Sequence, residues 1–105
     1  MEVQRRTIIR EDRTKGYRFY GMLEKFLDSR GERVKNYANT LLLENPVEGK
    51  VYYLGEVTAL LELSPRRRAL FCELFSQDAE ALEGLVGEIL ALDPKFICGE
   101  AVGRQ

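Results

Sequence analysis

The 105-residue chain contains no histidine and no tryptophan, and only two cysteines and three prolines. Without histidine it lacks the commonest metal ligand and the usual general base near neutral pH. Cys72 and Cys98 are too widely spaced for the close pairs of a zinc site or redox motif, so they read as reduced, buried thiols. No metal and no cofactor are expected. No apolar run approaches the ~20 residues that span a bilayer. The opening, Met1-Glu2-Val3-Gln4-Arg5-Arg6, lacks the apolar stretch of a signal peptide. The expectation is a cytoplasmic protein with no membrane partner. A phosphate loop is missing too: Gly49-Lys50 has no glycine five residues earlier and is followed by Val51. With no nucleophile–base pair to name, a non-enzymatic role is favoured.

What is present is an ordinary globular mixture, 45% hydrophobic and 31% charged, of a length that suits one domain over residues 1–105. Charge is uneven. Residues 1–35 carry ten Lys/Arg and six Asp/Glu, a net of +4, and the remainder carries six and eleven, a net of −5. Such asymmetry can mark an anionic partner, whereas the overall pI of 5.6 is that of a solvated surface rather than a dedicated nucleic-acid domain.

Along the chain, residues 2–10 favour a strand through Val3, Thr7, Ile8 and Ile9, and residues 11–16 form a charged turn. Phe19, Tyr20, Leu23, Phe26 and Leu27 make one apolar stripe, which predicts a helix over about 17–30 with Gly31 as its cap. Val34, Tyr37, Ala38, Leu41 and Leu42 repeat that spacing and predict a second helix over about 32–44, ended by Asn45-Pro46. Residues 47–50 read as a turn. Residues 51–63 read as a strand bent at Gly55, residues 64–67 as a turn, and 68–75 as the returning strand. A four-residue loop pairs Leu61 with Leu70 and Ala59 with Cys72. It places Val57, Ala59, Leu61, Leu70, Cys72 and Leu74 on one core face. Residues 76–78 cap a helix over about 79–92, and 95–102 read as a last strand. With the two early helices fused into one crossover, this order resembles the ferredoxin-like βα(α)ββαβ arrangement. That implies an α+β antiparallel sheet with helices mainly on one face.

A competing motif lies at 54–75. Val57, Leu61, Leu63 and Phe71 at their spacing, a Ser64-Pro65 step and the arginines after it resemble the helix-turn-helix of DNA-binding regulators. Two features rank it second. Glu62 sits where the turn favours glycine, and Arg68 sits where an apolar residue faces the first helix. Arg66, Arg67 and Arg68 are the anion or nucleic-acid candidates, since arginine forks match phosphate. The face opposite the core carries Tyr52, Leu54, Leu60, Phe71 and Phe75. These are the interface candidates, because an antiparallel sheet with one solvated face alternates more cleanly than this. The leading reading is a small non-enzymatic binding or regulatory domain acting through protein–protein contact as a homodimer. A DNA-binding regulator is the alternative, and a small enzyme or ligand sensor with no identified pocket is the third.

Overall fold

The computed structural model describes residues 2–40 and 46–99. The elements in order are β1 (Gln4–Glu11), α1 (Arg18–Arg30), β2 (Glu32–Thr40), β3 (Pro46–Leu54), β4 (Val57–Ser64), β5 (Ala69–Ser76), α2 (Ala79–Leu90) and β6 (Ile97–Gly99). All six strands form one antiparallel sheet in the order β2-β3-β4-β5-β1-β6. The fold is therefore α+β, with two helices among the described residues, but the strand order departs from the ferredoxin-like expectation. A meander of four consecutive strands replaces the single central hairpin.

The departure begins at residues 32–40, where the second helix was expected. They form the edge strand β2, paired from Glu32↔Tyr53 to Thr40↔Pro46 with an irregularity between Arg33 and Lys35. The helical spacing of Val34, Tyr37 and Ala38 misleads because Val, Tyr, Asn and Thr suit a pleated surface at least as well. A short segment takes whichever state finds a partner, and β3 supplies one. Residues 41–44 of that expected helix lie outside the described residues. The expected turn at 47–50 is part of β3.

The two helices form where the apolar stripes place them. Tyr20, Leu23 and Leu27 of α1 are buried, as are Leu82, Leu85, Val86 and Ile89 of α2. Burying each leucine contributes about 1.5–3 kcal/mol. The cap of α1 comes from afar. Tyr17 at the cap position makes no side-chain cap bond. Instead Asp12, fully buried, accepts from the Phe19 and Tyr20 N–H groups at 2.8 and 2.9 Å and from the Thr14 hydroxyl at 2.5 Å. A carboxylate there also offsets the helix dipole. Gly31 closes the other end, its N–H donating to the Leu27 carbonyl at 3.1 Å. For α2, Asp78 accepts from the Glu80 and Ala81 N–H groups, as the capping residues predict.

Both helices pack on the same sheet face. α1 lies against β2 and β3, and α2 against β1, β5 and β6. An Arg30–Glu88 ion pair links the helices. Arg10 fastens the far side. Its guanidinium lies 3.4 Å over the Phe19 ring and donates to Asp93 Oδ1 at 3.0 Å. The Lys95 N–H and then Arg10 hold the Asp93 carboxyl below its usual range. Beneath the helices sit Ile8, Tyr52, Val57, Ala59, Leu61, Leu63, Leu70, Cys72 and Leu74, all buried.

The expected strand 51–63 is two strands. Gly55, at φ 76, and Glu56 form a two-residue hairpin loop between Leu54 and Val57, which are paired. Positive φ at the first central residue alone is the II′ pattern, which favours glycine there. The β4–β5 turn then occupies residues 65–68, pairing Leu61 with Cys72 and Ala59 with Leu74. That is two residues from the expected register. Because side chains alternate with period two, the slip leaves the same residues on the core face. Residues 57–64 and 69–76 are strands, so no helix-turn-helix forms there. β1 lies between β5 and β6, with Ile8 opposite both Cys72 and Cys98, and neither cysteine is in a disulfide.

Candidate interaction surface

The sheet face turned away from the helices is built by alternation. Val57 and Leu61 point to the helices, so Thr58, Leu60 and Glu62 point away. Cross-strand register then assigns the rest. Tyr53 lies opposite Thr58 and Val51 opposite Leu60. Phe75 pairs with Thr58, Glu73 with Leu60, and Phe71 with Glu62. Arg5, Thr7 and Ile9 follow on β1, and Ile97 on β6. Tyr53 and Ile97 are 60% and 65% exposed, while Val51, Leu60, Phe71, Phe75 and Ile9 are half-buried by their neighbours. Among the described residues no helix lies on this side.

Of the five interface candidates, Leu60, Phe71 and Phe75 lie on this face. Tyr52 and Leu54 do not. A continuous strand would put Tyr52, Leu54 and Leu60 on one side. The Gly55 hairpin reverses the chain and pairs Tyr52 with Ala59, on the helix side, where Tyr52 is fully buried. Leu60 and Phe71 are diagonal neighbours rather than a direct pair, since Leu60 faces Glu73 and Phe71 faces Glu62. Sequence reasoning missed Val51, Tyr53, Ile9, Ile97 and Tyr37. The Leu54-Gly55-Glu56-Val57 turn signal was the clue to the first two.

Tyr37 crosses the face at its β2 edge. It pairs with Gly49 of β3, and its ring occupies the space a Cβ at position 49 would need. The phenol thereby reaches over β3 and donates to Glu62 Oε2 on β4 at 2.6 Å. Burial, the bond to Glu62 and the charges of Glu62 and Glu73 push the Tyr37 hydroxyl well above its usual pKa. The centre of the face is thus apolar with an acidic pair, flanked by Lys35 on one outer strand and Arg5 on β1. A shallow depression of about 640 Å³ at one end is lined by Val3, Tyr53, Thr58, Phe75, Ser76 and Asp78 among others.

The arginine candidates Arg66, Arg67 and Arg68 are exposed in the β4–β5 turn, and Arg67 lies 6.0 Å from the Phe71 ring. Cys72 is fully buried and burial pushes its pKa up to about 12, which suits a core residue and not a nucleophile. Among the described residues no three Cys, Asp or Glu gather into a metal site. No described helix is long and apolar enough to cross a membrane. Comparison with known proteins returns no match to a family model, a curated protein or a solved structure.

Proposed function

We propose that the chain is a non-enzymatic binding or regulatory domain that works through protein–protein contact, and that the helix-free sheet face is where a second copy of the chain docks. One observation carries this. Both helices cover the same side of the sheet, and the other side presents apolar residues from five of its six strands, Val51, Tyr53, Leu60, Phe71, Phe75, Ile9 and Ile97. An antiparallel sheet can leave one face in water, but that face is then predominantly polar. A second copy offers the same apolar face, and a two-fold interface lets one patch serve both partners.

Leu60 and Phe71 are already half-buried, so covering the rest contributes about 1 kcal/mol each, and the more exposed Tyr53 and Ile97 contribute more. Light scattering coupled to size exclusion should give a dimer mass for the wild type and a monomer mass for Phe71→Glu, with an unchanged circular dichroism spectrum. Leu60→Glu should act the same way and guards against a local failure at position 71. A wild type that stays monomeric at high concentration overturns the proposal. So does unfolding of both variants, since the two residues would then belong to the core.

A further inference from the structure

Two loops more than fifty residues apart in sequence become one surface at the end of the sheet where β1 leaves for α1. Glu11 of β1 pairs with Ala69 of β5. Just beyond that pair, the Asp12 N–H donates to the Arg68 carbonyl at 2.8 Å, and the Arg68 guanidinium donates to the Arg13 carbonyl at 3.1 Å. Arg13 of the first loop is therefore held beside Arg68 of the turn; Lys15 of the same loop, Arg18 at the first position of α1, and Arg66 and Arg67 of the turn are exposed, as are Arg13 and Arg68. The acidic residues of the same segments are two. Glu11 is paired with Arg13 at 2.9 Å, and Asp12 is buried and engaged with the start of α1. Residues 11–18 and 65–68 together carry six cations and two carboxylates, a net of +4 in a chain whose total is −1.

The backbone supplies a second, independent observation. Among the described residues the only non-glycine positions with positive φ are Tyr17 and Arg68, both at 55°, and both belong to this end. Glycine adopts that conformation without strain, whereas a residue with a Cβ does so at a cost. Strained residues of this kind gather at functional sites, where the side chain is worth the strain. At position 68 the side chain is an arginine, and it braces the neighbouring loop.

We propose that this basic end is a binding surface for the phosphate backbone of a nucleic-acid strand. Arginine forks match phosphate oxygens bidentately, and backbone contacts of this kind position a strand without reading its bases. The cations come from the loop before α1, the first residue of α1 and the β4–β5 turn. That arrangement suits a ligand with repeating charges better than a single small anion. The local field, not the overall charge, governs such an encounter.

The test is fluorescence anisotropy of a labelled twenty-nucleotide oligothymidine with the full chain, across a salt series. Binding is expected near 50 mM salt and should weaken as salt rises. Each phosphate neutralised contributes about −0.7 to the slope of log affinity against log salt for a single strand. Arg13→Gln and Arg67→Gln, one from each loop, should each weaken binding about three- to tenfold and flatten that slope. Arg68→Gly should leave the melting temperature equal or higher while weakening binding by a similar factor, because it relieves the backbone and removes the cation together. No binding at 50 mM salt overturns the proposal. So does an affinity unchanged by substitution in either loop. Equal or tighter binding of a poly-glutamate peptide of the same charge would show that an acidic protein segment is the ligand instead.

Discussion

Replacing Gly49 by alanine should destabilise the protein, although a glycine inside a strand is ordinarily the weaker choice. In an average strand the change gains about 0.5–1 kcal/mol, because glycine loses more backbone freedom on folding. Here an added Cβ would fall within the Tyr37 ring, against its Cζ, Cε1 and Oη atoms. The ring would have to leave the sheet, and its 2.6 Å hydrogen bond to Glu62 would go with it. A hydrogen bond to a charged group is worth about 1.5–3 kcal/mol. The loss exceeds the gain, leaving a net destabilisation of about 1–2 kcal/mol. In a domain of this size that lowers the melting temperature by about 5–15 °C. Thermal denaturation followed by circular dichroism measures it. A double-mutant cycle with Tyr37→Ala isolates the cause. In the Tyr37→Ala background Gly49→Ala should become neutral or stabilising. If Gly49→Ala alone raises the melting temperature, Tyr37 does not lie over Gly49 and the account of this edge of the sheet fails.

The tyrosines set a second expectation, at alkaline pH. Burial, first, and the bond to Glu62 raise the Tyr37 pKa, and burial also raises that of Tyr20. An unfolded tyrosine ionises near pH ~10. The folded chain therefore keeps protons that the unfolded chain releases, so stability is full below that pH and falls as pH rises through the folded values. Urea unfolding between pH 8 and 11 should show this decline, and Tyr37→Phe should make it shallower; an identical decline in that variant would refute the assignment. The thiols give a third. A thiol reagent should find two reactive cysteines in the unfolded, unreduced chain. In the native protein it should modify Cys98, which is partly exposed, well before Cys72, whose thiol is buried and pushed up to about 12; two equally fast thiols would contradict the packing of β5.

How much of this was legible in the residues depends on the range of the interaction concerned. The stripes of α1 and α2 are local, repeat over a dozen residues and lead to the observed helices. The core face shared by β4 and β5 was also legible, even though the turn came out two residues away from the expected register. Period two forgives an even slip and would not forgive an odd one. The candidate surface was half legible for the same reason. Leu60, Phe71 and Phe75 follow from alternation within β4 and β5, whereas the sides taken by Tyr52 and Leu54 turn on whether Gly55 bends a strand or ends one.

By itself the sequence determined the apolar stripes of α1 and α2, the core face of β4 and β5, and that the chain carries no histidine. Tertiary structure alone decided three things. It made residues 32–40 a strand, because β3 offered an edge and the local propensities were balanced. It laid Tyr37 across Gly49 onto Glu62, a contact between residues 25 positions apart that no spacing rule announces. And it brought Arg13 to Arg68, because placing β1 beside β5 in the sheet sets the start of one loop against the end of another. Periodicity reports which face a side chain takes; which strands lie side by side depends on the packing of the whole chain, and that is where both candidate surfaces are made.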